Sequence, residues 1–223
     1  MAIRWVTFDC FGTLVDWNGG FASLLRPRFG VRTEVVIQAY HEFERDLEAA
    51  RPHRLYRDVL ANALMLAAAK VGVPVSESEA HTLPERWGSL PVFADVEEMV
   101  GSLRAMGCRL GVLTNCDDEL FERTQRAFRR PFDLVVTAER VGAYKPAPAH
   151  FRHFAEVTGV ALRDWVHVAC SWYHDIAPAH SLEIKCIWLD RERTGDDERM
   201  ASARVESAAG VSGVVRETLK IVE

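Results

Sequence analysis

The sequence contains few cysteines, and none of them forms a CxxC pair. Five are present in 223 residues, an odd number, at Cys10, Cys108, Cys116, Cys170 and Cys186. Their spacing fits neither a disulfide framework nor a set of metal ligands. We therefore expect reduced thiols and a cytoplasmic location.

The sequence also lacks a long basic run and a long apolar segment. Its formal net charge is -5, so neither nucleic acid nor an acidic membrane surface is an expected partner. No apolar stretch approaches the roughly 18 residues needed to cross a bilayer. The opening residues MAIRWVTFDC lack the apolar stretch of a signal peptide. These absences predict a soluble globular protein.

What the sequence does contain is a series of short apolar runs rich in Val, Ile and Leu. Such runs are typical of parallel strands that are buried on both faces. They occupy residues 3–8, 109–114, 132–137, 165–170 and 185–189. Hydrophobic residues make up 48% of the chain, which is enough to bury a sizeable core.

Helical patterns separate these runs. Residues 96–107 end on a glycine, residues 117–128 open on Asp117 as a plausible N-cap, and residues 146–159 run from prolines to a glycine. The alternation predicts an α/β fold with a largely parallel sheet. The polar stretch 190–210 is expected to be a solvated loop containing a short element.

Residues 17–90 depart from this alternation, because they contain several helical patterns and no strand-like run. We interpret them as an all-helical cap inserted after the first strand, able to cover the carboxyl edge of the sheet. The expected division is a core of residues 1–16 and 91–223 and a cap domain of residues 17–90.

Polar side chains follow several of the predicted strands. Asp9 and Thr13 follow the first, Asp175 follows the run at 165–170, and Lys145 precedes a predicted helix. The second strand is followed by a further pair of polar residues, Thr114 and Asn115. Ligands of open α/β sheets bind beyond the carboxyl ends of the strands, so these residues are expected to converge there.

The chemistry of such a group is coherent. A carboxylate becomes a useful nucleophile when it is partly desolvated and held in orientation. A lysine about 4 Å from Asp9 would offset its charge by roughly 4 kcal/mol at an effective dielectric constant near 20. Thr13 can fix the rotamer of the carboxylate, and Asn115 can donate a hydrogen bond to a departing anion. Each residue alone also has a simpler explanation as a turn, surface or capping residue.

The motifs FDCFGTL, VLTN, YKP and HVACSWYHD together resemble those of the haloacid dehalogenase superfamily. The resemblance covers essentially the whole chain, including the cap. It implies a Rossmann-like core with Asp9 as covalent nucleophile and Lys145 as the residue that stabilises charge. It also implies that Asp175 orients water or, in some members, binds magnesium.

Phe11 distinguishes between branches of this superfamily. Phosphatases have a second aspartate two positions after the nucleophile, where it protonates the leaving alcohol, and a phenylalanine cannot do this. An aromatic residue there is similar to type II (L-2-haloacid) dehalogenases, whose leaving halide needs no proton and which work without a metal. The resemblance therefore implies no cofactor, with Mg²⁺ required only if the phosphatase alternative holds.

The residues expected to bind substrate depart from that branch. The cap arginine that grips the halide is replaced by a neighbourhood containing Tyr40, His41 and Arg45. On the loop before Asp175, Cys170 and Trp172 stand where a serine and an asparagine are expected. A tyrosine expected shortly after Lys145 is Phe151. His41, Arg45, Phe11, Thr114 and Trp172 are our candidates for contacting the substrate.

The sequence thus predicts a metal-independent hydrolase of a small 2-substituted carboxylic acid, which acts through an Asp9 ester. A magnesium-dependent phosphatase, a hydrolase that opens a small cyclic amino acid, and a non-catalytic binding protein on the same fold remain alternatives. A small molecule is the expected partner, and a homodimer is an assembly compatible with the chain. Cys10, Cys116 and Cys170 are expected to be packing residues beside the motifs.

Overall fold

Six parallel strands form one sheet in the computed structural model, which describes residues 3–221. The strands are β1 (Trp5–Phe8), β2 (Arg109–Thr114), β3 (Leu134–Thr137), β4 (Trp165–Ala169), β5 (Lys185–Leu189) and β6 (Ala203–Val205). Their order is β3-β2-β1-β4-β5-β6, and every neighbouring pair is parallel. The predicted α/β class and all five predicted strands are confirmed.

The strand order determines where a ligand can bind. After β3 the chain crosses back to the other side of β1 and adds β4, β5 and β6 there. The order 3-2-1-4-5-6 has its switch point between β1 and β4, where the flanking connections diverge and leave a crevice at the carboxyl ends. The residues that follow β1 and β4 therefore lie at the mouth of this crevice.

Strand β6 was not predicted as a strand. It occupies three residues in the polar stretch 190–210, at the edge of the sheet, and is preceded by a single helical turn (Glu198–Met200). A three-residue edge strand is too short to show a period-2 pattern. The rest of that stretch matches the expected loop.

Helices α1–α4 and their turns lie between β1 and β2, as the sequence pattern predicts for residues 17–90. They are α1 (Trp17–Phe29), α2 (Thr33–Ala49), α3 (Tyr56–Lys70) and α4 (Glu77–Glu85). The remaining helices follow as α5 (Val96–Ala105), α6 (Asp118–Gln125), α7 (Ala138–Val141), α8 (Ala149–Thr158), α9 (Ala177–Ser181) and α10 (Val211–Thr218). Within residues 3–221, no helix combines the length and apolarity needed to cross a membrane.

Asp117 occupies the predicted N-cap position of α6, but its side chain does not cap that helix. Its carboxylate instead accepts hydrogen bonds from the backbone N–H groups of Tyr56 and Arg57, at 2.6 and 2.9 Å. These are donors of the first turn of α3, which need an acceptor from outside their helix. Asp117 therefore connects the inserted helices to the carboxyl end of β2.

Side chains alternate between the two faces of the sheet. Val6 and Phe8 of β1 pack into the larger of two buried apolar clusters. Trp5 packs into the other cluster, which also contains Phe151 and Phe154 of α8. The buried, polar Thr7 has the same parity as Trp5, so it also points toward the α8 face.

Candidate active site

Asp9, Lys145 and Asp175 meet beyond the carboxyl ends of β1 and β4. The Lys145 ammonium donates to Oδ1 of Asp9 at 2.9 Å and to Oδ1 of Asp175 at 2.7 Å. Its third proton goes to the carbonyl oxygen of Leu113, also at 2.9 Å. All three charged side chains are buried, with at most 10% of each exposed. A single ammonium thus holds two carboxylates on either side of the crevice.

The orientation of Asp9 is fixed from a second direction by Thr13. The Thr13 hydroxyl donates to Oδ2 of Asp9 at 2.7 Å and accepts from the backbone N–H of Cys170 at 2.9 Å. Gly12 makes this turn possible, since its φ is +92° and an added Cβ would lie 2.8 Å from the Cys170 sulfur. Both oxygens of the Asp9 carboxylate are therefore held by donors.

Asn115 positions the backbone of Lys145. Its amide nitrogen donates to the Lys145 carbonyl at 3.1 Å, and its amide oxygen accepts from the Lys145 N–H at 2.7 Å. The carbonyl of Leu113 on β2 anchors the other end of the same side chain. Asn115 lies at the site as predicted, and these contacts show it holding the lysine segment.

Asp175 is fully buried, in the turn that follows β4. Its burial would raise the pKa of a lone carboxyl, but Lys145 and His167 outweigh that effect and lower the pKa of Asp175 to about 2. Conversely, burial disfavours the ammonium, whereas Asp175 and Asp9 favour it and raise the pKa of Lys145 above its usual range. Lys145 is therefore a fixed positive charge at neutral pH.

His167 was not singled out by the sequence, although it lies inside the HVACSWYHD motif. It belongs to β4 and is fully buried. Its Nε2 lies 3.0 Å from Oδ1 of Asp175, and its Nδ1 lies 2.9 Å from the Thr7 hydroxyl. Sequence spacing gave no signal for this contact, because a histidine in an apolar strand does not reveal what it faces.

These groups open onto a cavity of about 460 Å³ between the inserted helices and the sheet. The predicted nucleophile, its lysine and Asp175 line one side of the cavity, and residues of α2 and the first turns of the insert line another. Its lining includes Asp9, Phe11, Trp17, His41, Glu44, Arg45, Glu48, Tyr56, Thr114, Asn115, Lys145, Trp172, His174 and Asp175.

The five residues predicted to contact the substrate all line this cavity, but they differ in how far other contacts already occupy their side chains. Phe11 packs its ring 4.9 Å from that of Trp87, and Trp172 donates through Nε1 to the carbonyl of Asp197 at 3.2 Å. Thr114 is fully buried at the end of β2. The remaining two candidates belong to α2, where Arg45 is exposed and its Nε donates to the carbonyl of His41.

The α2 side of the cavity is acidic, a feature that no pattern in the sequence indicates. Glu44 accepts hydrogen bonds from the hydroxyls of Tyr40 and Tyr56, at 3.0 and 2.7 Å, and lies 3.3 Å from Nδ1 of His41. Glu48, one turn further along, is buried and forms no ion pair with the described residues 3–221. Burial, followed by the neighbouring Glu44, raises the pKa of Glu48 well above its usual range.

The thiols beside the motifs occupy the predicted positions. Cys10 and Cys116 are buried, Cys170 is half-buried, and all five cysteines are free. Burial raises the pKa of Cys10, Cys116 and Cys170 above the ordinary thiol value.

His174 lies on the cavity, where its Nδ1 is 3.0 Å from the Ser171 hydroxyl and burial lowers its pKa.

Relatives of known activity resemble the chain over most of its length. The haloacetate dehalogenase H-2 of Moraxella sp. (strain B) is 22% identical over 204 residues, which cover 88% of this chain and 89% of that protein. The (S)-2-haloacid dehalogenase of Pseudomonas fluorescens is 19% identical over 202 residues and 88% of each chain.

Solved structures show the same fold. One crystal structure of an L-2-haloacid dehalogenase superposes with a TM-score of 0.88 at 22% identity, covering 97% of this chain and 100% of that one. The L-2-haloacid dehalogenase of Xanthobacter autotrophicus with covalently bound chloropropionic acid gives 0.82 at 17% identity, with coverage of 96% and 98%. The family model described as haloacid dehalogenase-like hydrolase matches residues 3–177. The chain belongs to the haloacid dehalogenase-like hydrolase family.

Proposed function

We propose that the protein hydrolyses a small 2-substituted carboxylic acid, with halide as the leaving group, through an ester on Asp9. The observation that supports this most directly is the buried arrangement of Asp9, Lys145 and Asp175, facing a cavity of about 460 Å³. The names of the two dehalogenases above, which act on haloacetate and 2-haloacids, support the substrate class.

In the first step, an oxygen of Asp9 attacks C2 of the substrate and the carbon–halogen bond breaks. The halide leaves with the bonding electron pair, and C2 becomes bonded to Asp9 through oxygen. Lys145 and Thr13 hold the carboxylate in one orientation before the attack, which lowers the entropic part of the barrier. Attack opposite the leaving group inverts the configuration at C2.

In the second step, water attacks the carbonyl carbon of the Asp9 ester. Asp175 orients this water and takes its proton as the new carbon–oxygen bond forms. The bond between the Asp9 carbonyl carbon and the substrate oxygen then breaks, and that oxygen takes the proton held by Asp175 to give the 2-hydroxy acid. The second proton of the attacking water is released to the solvent. Asp9 regains its carboxylate, now with one oxygen from the solvent.

This chemistry needs no metal, because Lys145 already supplies a cation between the two carboxylates. Phe11 supports the same conclusion, since it lines the cavity where a phosphatase of this superfamily has its proton-donating aspartate. A departing halide needs no proton, whereas a departing alkoxide does.

The location, assembly and domain division belong to the same proposal. Five free cysteines fit a reducing compartment, and we place the protein in the cytoplasm. We propose that residues 17–90 act as a cap domain over a core of residues 1–16 and 91–223, since helices α2 and α3 line the cavity opposite Asp9. A homodimer is the proposed assembly, and size-exclusion chromatography with light scattering tests it.

The decisive experiment is turnover of racemic 2-chloropropionate in water enriched with oxygen-18, with and without EDTA. We expect halide release in both conditions and heavy oxygen in the peptide that contains Asp9. A phosphatase would instead require magnesium, release phosphate from a phosphate ester and leave Asp9 unlabelled. A binding protein would give neither product. Either of the last two results would overturn the proposal.

A further inference from the structure

We propose that His167 is a positioning residue for Asp175: it holds one carboxylate oxygen from behind the site, so that the other oxygen can orient the hydrolytic water. The inference rests on the proposed function for the ester step. The residues behind Asp175, namely Trp165, Thr7 and His167, lie on the α8 face of the sheet and do not line the cavity.

Three side chains on neighbouring strands form a continuous hydrogen-bonded series. Trp165 of β4 donates from Nε1 to the Thr7 hydroxyl of β1 at 2.8 Å. The Thr7 hydroxyl oxygen lies 2.9 Å from Nδ1 of His167, and Nε2 of His167 lies 3.0 Å from Oδ1 of Asp175. All four side chains are buried, and none of the first three lines the cavity.

The donors and acceptors in this series assign the tautomer of His167. The indole of Trp165 can only donate, so it uses a lone pair of the Thr7 oxygen. The single hydroxyl proton of Thr7 then has Nδ1 of His167 as its acceptor within the described residues. Nδ1 therefore accepts, and the proton of the neutral ring is on Nε2, from which it is donated to Asp175.

This assignment makes the two oxygens of Asp175 different. Oδ1 accepts from both Lys145 and His167 and is fully engaged. Oδ2 is buried and accepts from no group of the described chain, although Asp175 lines the cavity. An oxygen in this position needs a donor to offset its desolvation. The attacking water provides this donor. By holding Oδ1, the hydrogen bond from His167 therefore orients Oδ2 toward that water.

The surroundings of His167 also favour a positioning role over simple packing. The ring lies edge-on to Phe151 at 5.0 Å, and Trp165 and Ala169 are on the same face of β4. Burying a polar ring among apolar groups is unfavourable unless both nitrogens are hydrogen-bonded. An aliphatic side chain would pack there at lower cost, but it could not hold Asp175.

The test uses the whole enzyme and follows the two chemical steps separately. His167→Leu removes both hydrogen bonds at similar volume, and His167→Gln keeps an N–H donor. The burst of halide released in the first turnover reports ester formation, and the mass of the intact protein after acid quench reports the accumulated Asp9 ester. Asp175→Asn serves as the reference that blocks hydrolysis of the ester.

We expect His167→Leu to form the ester at nearly the wild-type rate and to hydrolyse it about 10- to 100-fold more slowly, as is typical of a misplaced catalytic group. Because the slow step then follows the covalent step, kcat and KM fall together and kcat/KM stays near wild type. The ester accumulates in His167→Leu, and His167→Gln restores part of its hydrolysis.

Thr7→Val provides a second variant if His167→Leu does not fold. It keeps the imidazole but removes the proton donor to Nδ1, so the ring can change tautomer and lose its bond to Asp175. We expect ester to accumulate in Thr7→Val, and we expect Thr7→Ser to restore hydrolysis.

Two results would overturn the role of His167. One is a loss of kcat/KM without accumulated ester in the His167 and Thr7 variants, and the other is wild-type hydrolysis in folded His167→Leu. Failure of the proposed function gives a different pattern, since no ester would then appear even in Asp175→Asn and no solvent oxygen would enter wild-type Asp9.

Discussion

The ammonium of Lys145 lies 2.7 Å from Oδ1 of Asp175, and both side chains are excluded from solvent. The same ammonium contacts Asp9 at 2.9 Å, so one positive charge serves two buried negative charges. Such an arrangement tolerates removal of the lysine poorly, because uncompensated buried carboxylates are strongly unfavourable. The contact with Lys145 also holds the Asp9 carboxylate in place, so that its attack requires no large rearrangement of solvent.

Replacing Lys145 by methionine is therefore expected to abolish activity and to destabilise the fold. The loss should be about 3–5 kcal/mol, as is typical when one partner of a buried pair is removed. Urea denaturation measures it.

Arg140→Met is the matched control, since Arg140 pairs with Asp118 and both side chains are 45% exposed. Surface pairs contribute about 0–1 kcal/mol. Equal stability losses in the two variants would contradict a buried, tightly coupled site.

Asp175 is expected to make stability depend on pH in the acid range. Its pKa is about 2 in the folded protein, below the ordinary value near 3.9 expected in the unfolded chain. The group therefore stabilises the fold fully above about pH 4, and this contribution is lost as pH falls toward 2. The linked free energy is about 2–3 kcal/mol.

Urea denaturation of wild type and Asp175→Asn between pH 2 and 7 measures this contribution, with roughly unit pH steps. The wild-type curve should fall more steeply than the variant curve between about pH 4 and 2. Parallel curves over that interval would show that the carboxyl of Asp175 is not held in its ionised form.

The sequence predicted the fold and the central charged group for one physical reason. Parallel strands carry their carboxyl ends to the same edge, so Asp9 after β1 and Asp175 after β4 had to lie near one another. Lys145 precedes a helix rather than following a strand, yet the sequence pattern places it in the same group, and the family resemblance implies its charge-stabilising role. The strand-free pattern of residues 17–90 predicted the helical cap, which the resemblance also includes.

Other features depend on contacts that no local pattern reveals. His167 lies in an apolar strand, and only the pairing of β4 with β1 brings it beside Thr7. Asp117 looked like an ordinary N-cap, yet its carboxylate binds the start of α3. Glu48 belongs to a helix face that is buried only because the insert packs over the sheet. Composition and spacing contain no record of these long-range contacts.

The burial of Glu48 predicts a pH-dependent affinity for anionic substrates. Glu44, Glu48 and Tyr56 face the cavity from the insert, and Lys145 and Asn115 face it from the sheet. Because its pKa is raised, Glu48 is uncharged at lower pH and becomes negative as pH increases. The ionised carboxylate repels an anionic substrate in the same cavity, and a repulsion on the order of 1 kcal/mol raises KM several-fold.

We therefore expect the KM for 2-chloropropionate to rise with increasing pH in wild type, as Glu48 ionises, and to stay nearly constant in Glu48→Gln. Glu42→Gln is the matched control, because Glu42 lies on the same helix but is exposed and pairs with Lys70. A rise of KM in Glu48→Gln equal to that of wild type would assign the effect to another group.

Trp172 lines the cavity beside Asp175, and its Nε1 is anchored by a hydrogen bond to the carbonyl of Asp197. An indole fixed in this way restricts the space for a substituent on C2, so chloroacetate should be preferred over 2-chlorobutyrate. Excess methylenes in a tight pocket cost roughly 1–3 kcal/mol each, or about 10- to 200-fold in kcat/KM. Trp172→Ala should reduce this preference.

Phe154→Leu distinguishes pocket size from general destabilisation, since Phe154 is buried in the same apolar cluster that Trp172 packs against but does not line the cavity. The measurement is the ratio of kcat/KM for chloroacetate to that for 2-chlorobutyrate, with thermal unfolding recorded alongside. We expect both variants to be less stable and only Trp172→Ala to change the ratio. If both variants lose stability and neither changes the ratio, Trp172 supports the turn before Asp175 without limiting the size of the substrate.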